Sequence, residues 1–99
     1  MIRPNLFIIG APKCGTTSMA AWLRRHPQIF MPEFKEPHFF NTDMNYVNVR
    51  SRDEYRRLFA DAREHHAAVG EASVFYLYSQ RAVPRIESEI GSVRYIVMI

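Results

Sequence analysis

Cysteine occurs once in this chain, at Cys14, which excludes an internal disulfide and fits a reducing compartment. Lysine is nearly as scarce. Lys13 and Lys35 are the only two, every other cationic side chain being arginine, and both fall in the most motif-like segments. A chain that otherwise uses arginine for surface charge keeps such lysines for specific jobs. Long apolar runs are missing as well. Residues 6–9 form a run of 4, far below the ~20 residues a spanning helix needs, and nothing resembles a secretory leader. A soluble, cytoplasmic chain without a membrane span is the expectation. The positive excess is only +3 over 99 residues and is dispersed, which suits an anionic ligand and argues against nucleic acid. Arg24-Arg25 and Arg56-Arg57 read as ordinary helix-surface pairs.

What is present is globular: 47% of residues are hydrophobic and 13% aromatic, too rich for a disordered chain. The length allows one small domain or a piece of a larger one. Residues 5–10, short, β-branched and aromatic, predict a buried strand of a parallel sheet. Residues 16 to about 25 carry Met19, Ala20, Trp22 and Leu23 at helical spacing, and Pro27 closes that helix. Residues 29–31 suggest a second short strand. Ser51, with Glu54 three places on, reads as a capping box opening a helix to about residue 65. Residues 68–74 predict a strand with Gly70 at a close approach, 81–89 a helix closed by Gly91, and 93–99 a last buried strand. Strands alternating with helices predict an α/β fold, a parallel sheet with flanking helices. A buried strand is an unusual place for a chain to stop. The expectation is therefore that residues 1–99 are the N-terminal part of a single domain whose C-terminal part is absent.

Three segments carry chemistry. Residues 9–18, Ile-Gly-Ala-Pro-Lys-Cys-Gly-Thr-Thr-Ser, set a glycine turn between a strand and a helix start, where backbone N–H groups and the helix dipole favour an anion. The nucleotide P-loop spacing G-x-x-x-x-G-K-[ST] is kept at Gly10, Gly15 and Thr17, but Thr16 stands in the lysine position and Lys13 is the loop's cation. Such a loop grips a phosphate-like group without an ATPase's lysine. Cys14 reads as a small filler in preference to a reactive thiol. In Lys35-Glu36-Pro37-His38-Phe39-Phe40, Pro37 should hold Glu36 extended, so that Glu36 and His38 share a face as base and orienting partner. On these residues alone, a surface loop anchored by the phenylalanines is an equally good reading. Glu71 and Ser73 lie together where a predicted strand ends, which is where open parallel sheets bind ligands, although core packing explains them as well. His65 and His66 have no third ligand at a suitable spacing, and no metal site is expected.

Together these segments resemble the sulfotransferases that use 3′-phosphoadenosine 5′-phosphosulfate (PAPS), most closely the heparan/glycosaminoglycan-type group and its bacterial relatives. The resemblance implies a P-loop-like nucleotide-binding fold, truncated here, with the cofactor's 5′-phosphosulfate held by Lys13, Cys14, Gly15, Thr16, Thr17 and Ser18. It implies a catalytic set of Glu36 as base, Lys13 at the leaving group and His38 beside Glu36, with Lys35, Glu71 and Ser73 toward the acceptor substrate. The acceptor would be a hydroxyl or amine, carbohydrate among the candidates, the product adenosine 3′,5′-bisphosphate (PAP), and no Mg²⁺ would be needed. The family's 3′-phosphate contacts would follow Ile99, so the fragment is expected to be inactive alone. A nucleoside or small-molecule kinase with a degenerate loop, and a non-catalytic fragment, are the alternatives.

Overall fold

Alternation along the central strand sorts its side chains onto two faces, and the rest of the fold follows from what each face must bury. A computed structural model describes residues 2–33 and 36–99. Strand β1 (Leu6–Gly10) sends Phe7 and Ile9 to one side and Ile8 to the other, all of them buried. It pairs in parallel with β3 (Ala68–Ala72) on one side and β4 (Arg94–Val97) on the other, while β2 (Ile29–Phe30) pairs in parallel with β3. The sheet order is β2-β3-β1-β4, with β1 between its two partners.

Helix α1 (Thr16–Arg24) covers the Ile8 face, where Ala20 and Met31 complete a small core flanked by Met19, Leu23 and Ile29. The opposite face carries the larger core. Phe7, Phe39, Phe40, Tyr55, Phe59, Tyr76 and Ile86 meet there, supplied by helix α2 (Arg52–Arg57), helix α3 (Ala82–Glu89) and the segments between elements. Phe39 stacks on Tyr55 with ring centroids 4.7 Å apart and meets Phe40 edge-on at 4.9 Å. Phe39 and Phe40 are thus core anchors as well as neighbours of His38. No helix among the described residues is long and apolar enough to cross a membrane.

The α/β fold and its parallel sheet are those expected from the sequence, with two differences of detail. Helix α2 stops at Arg57, well short of residue 65. From Leu58 to Ala60 each N–H bonds the carbonyl three residues back, a tightened turn that carries Phe59 and Ala62 into the core. Ser51 does cap this helix, accepting from the Glu54 N–H at 3.1 Å. Strand β4 is half-covered, with Val97 45% exposed, because its outer edge has no partner strand among the described residues. Gly70 is a close approach as expected: a Cβ there would lie 2.6 Å from Met31 Sδ and 3.1 Å from the Leu6 carbonyl.

Candidate active site

Parallel strands deliver their C-terminal ends, and the turns that follow them, to one edge of the sheet. Gly10 ends β1 there, and a Cβ on it would lie 2.9 Å from Leu77 Cβ and 3.0 Å from the Val74 carbonyl. The glycine loop is therefore pressed against the turn that follows β3. Lys13 is exposed with φ 62°, and Gly15, at φ 83°, takes the N-cap position of α1. Among the described residues no side chain caps α1, and its first turn holds no acidic residue, so its N–H groups and dipole are left to face a ligand beside the lysine. Thr17 and Ser18 are exposed, Cys14 is half-buried with a free thiol, and Thr16 is buried. These residues fit a phosphate group, which such a terminus binds through backbone donors.

Lys35 lies outside the described residues. Glu36 and His38 come together at 3.8 Å between Glu36 Oε1 and His38 Nε2, with the Glu36 side chain 42% exposed and that of His38 only 3%. The route to this proximity corrects the sequence reading. Neither residue is extended: Glu36 has φ 58° and His38 φ 45°, so a doubly left-handed turn, not a shared strand face, brings them together. Two N–H donors meet the imidazole, Asn48 Nδ2 at Nδ1 and the Phe75 N–H at Nε2, each at 3.4 Å. Asn48 Nδ2 also donates to the Glu36 carbonyl at 2.8 Å, which fixes the amide's orientation. A neutral ring has one lone pair for these donors and an imidazolium has none. Burial pushes the His38 pKa down, the nearby Glu36 carboxylate opposing it. Folding therefore favours its neutral form.

Glu71 and Ser73 are 1% and 0% exposed, and they face inward. Glu71 accepts from Ser73 Oγ at 2.6 Å, Tyr55 Oη at 2.6 Å and Tyr76 Oη at 2.9 Å. Ser73 Oγ in turn accepts from the His38 N–H at 3.0 Å, and Tyr76 Oη from the N–H groups of Phe39 at 3.0 Å and Phe40 at 3.4 Å. Burial pushes the Glu71 pKa up to about 7 against these three hydroxyl donors. Sequence reasoning missed Asn48, Tyr55 and the anchoring part of Tyr76. Tyr76 and Tyr78, shortly after Ser73, hinted at the last. Tyr55 falls on the apolar face of the helix that Ser51 and Glu54 open, which marks it for the core but not for this network, and Asn48 stands in a segment without motif or periodicity. Behind this network a cleft lined by Arg3, Arg52, Arg56 and Glu89 opens toward the start of β1, away from the loop. Its Arg3 and Arg52 are already bonded to Glu89.

Comparisons with known proteins bear on the family and the fold. The family model described as "Sulfotransferase family" matches residues 4–95. The membrane-associated sulfotransferase kil1 of Dictyostelium discoideum is 30% identical over 101 residues, covering 97% of this chain and 20% of that protein. Carbohydrate sulfotransferase 15 of Homo sapiens is 45% identical over 53 residues, covering 54% of this chain and 9% of that protein. A solved sulfotransferase from Alicyclobacillus acidocaldarius superposes with a TM-score of 0.88 and 38% identity, over 98% of this chain and 44% of the other. The chain thus spans about a fifth of kil1 and under half of the solved relative. None of these matches favours the kinase alternative. A glycine loop with its lysine displaced, a carboxylate–imidazole pair at the same sheet edge and a family match over most of its length lead to one conclusion: the chain belongs to the sulfotransferase family.

Proposed function

We propose that this chain carries the phosphosulfate-binding and base-bearing half of an enzyme that moves a sulfuryl group from PAPS to an acceptor hydroxyl or amine. The observation that carries this reading is the uncapped N-terminus of α1 beside Lys13, on the same sheet edge as the Glu36–His38 pair. PAPS supplies an activated sulfuryl group. The backbone donors from Cys14 to Ser18 hold its 5′-phosphate, and Lys13 stabilises the charge that grows on the bridging oxygen as it leaves. Glu36, the exposed partner, takes the acceptor's proton at a carboxylate oxygen. His38, held neutral behind it, keeps the carboxylate turned toward the acceptor. As in in-line phosphoryl transfer, positioning and electrostatics do most of the work. Lys35 is proposed to face the acceptor. The name of the human relative supports a carbohydrate acceptor for this chain.

Calorimetric titration with PAP tests the reading directly. Binding should survive a chelator, and Lys13→Ala should weaken it at least about tenfold, the scale of one lost charge-assisted contact. Glu36→Gln should leave PAP affinity unchanged and, wherever sulfuryl transfer is measured, slow turnover by roughly 10²–10⁴-fold. Mg²⁺-dependent ATP binding with no response to PAP would overturn it.

A further inference from the structure

A buried carboxylate that touches neither the loop nor the surface calls for a reason. Strand β3 does not need one at residue 71, since its backbone already pairs with β1 at Phe7. An apolar side chain would fill the site without the cost of desolvating a charge. What the carboxylate does is take three hydroxyl hydrogens at once, from Tyr55, Ser73 and Tyr76. With their hydrogens directed at Glu71, Ser73 and Tyr76 present oxygen lone pairs to the consecutive N–H groups of His38, Phe39 and Phe40. Those N–H groups belong to the turn in which Glu36 and His38 hold left-handed backbone, a conformation that persists only where its surroundings enforce it.

We infer that Glu71 is a positioning residue for the Glu36–His38 pair, acting through Ser73 and Tyr76 to clamp three successive backbone amides of the turn that carries them. The inference rests on the reading of Glu36 as the base. It assigns Glu71 and Ser73 a task other than contact with the acceptor. Ser73 fixes His38 and Tyr76 fixes the two residues after it, so the clamp has two separable jaws on one carboxylate. Replacing Glu71 by glutamine keeps the shape but offers one acceptor atom and two N–H donors, so the hydroxyls cannot all keep their hydrogens directed inward.

Native-state hydrogen exchange on the ¹⁵N-labelled, ligand-free chain tests this without catalysis. Above about pH 7, where the Glu71 carboxyl is ionised, the amides of His38, Phe39 and Phe40 should lose protection in Glu71→Gln by up to about tenfold, the range for a hydrogen bond to a neutral hydroxyl. The β1 amides of Phe7 and Ile8 should keep theirs, and the His38 ring ¹⁵N shifts should move. Ser73→Ala should expose the His38 amide alone, and Tyr76→Phe those of Phe39 and Phe40 alone. These two variants carry the test if Glu71→Gln does not fold. Unchanged protection at all three amides, or an equal loss across the whole sheet, would overturn the clamp. PAP binding reads the functional proposal separately: a clamp seen without PAP binding supports the inference while removing the reading of the site.

Discussion

Glu36 and His38 sit 3.8 Å apart in opposite environments, one side chain 42% exposed and the other 3%, and their pH behaviour follows from that contrast. Burial lowers the His38 pKa and Glu36 raises it, so removing the carboxylate leaves burial unopposed. In Glu36→Gln the His38 midpoint, followed by ring ¹⁵N or ¹H shifts, should fall further below the ordinary histidine value. An unchanged midpoint would mean that the two side chains do not interact. Because the folded form prefers a neutral His38, this residue's contribution to stability is present above the ordinary histidine pKa and is lost as the pH falls from there through the lowered value of the folded state. At this scale the sequence placed Glu36 and His38 side by side and misjudged how they meet. Pro37 argued for extended backbone at Glu36, since α-region conformations are disfavoured before proline. The left-handed backbone found instead depends on the Ser73 and Tyr76 hydroxyls, 35 and 37 residues away along the chain. Local pattern carries no trace of partners so remote.

Among the elements, β3 shows how closely a strand can be committed to its neighbours. At Gly70 a Cβ would press on Met31 Sδ and on the Leu6 carbonyl, the first the end of a flexible side chain, the second fixed backbone. Gly70→Ala should therefore destabilise the chain by roughly 1–3 kcal/mol, the usual cost of overpacking. Adding Met31→Ala should recover only part of that, since Leu6 cannot withdraw. Denaturant unfolding of the two single variants and the double variant measures the coupling, and full recovery would show that the backbone contact is immaterial. The strands were legible because β-branched and aromatic runs bounded by glycine or proline leave few alternatives. The length of α2 was not. Tyr55, Phe59 and Ala62 keep a helical spacing whether the chain continues as a helix or tightens into three-residue turns.

For the molecule as a whole, the buried Glu71 carboxyl sets a pH dependence of stability. Its pKa rises from 4.5 to about 7 on folding, so the folded state favours the protonated form. That contribution is complete below pH 4.5, declines as the pH rises, and is gone above about 7. Relative to Glu71→Gln, which cannot ionise, the native chain should lose on the order of 3 kcal/mol across this window. Thermal or denaturant unfolding of both proteins at several pH values gives the comparison, and parallel curves would contradict it. The division of the core between the two faces of β1 follows from where Phe7, Ile8 and Ile9 point, as alternation requires. The inward direction of Glu71 and Ser73 did not follow from alternation. Two polar residues at the end of a strand look the same in sequence whether they face a ligand or a pair of buried tyrosines.

Lys13 stands in left-handed backbone at φ 62°, where a side chain costs about 1–2 kcal/mol and glycine costs little. Glycine's extra freedom in the unfolded chain offsets roughly 0.5–1 kcal/mol of that, so Lys13→Gly should raise the unfolding temperature slightly while weakening PAP binding. Heat tolerance and ligand grip therefore make opposite demands on this position. A library sorted only for survival at high temperature would drift away from lysine here, and a return to lysine under selection for activity would mark the residue as maintained by use alone.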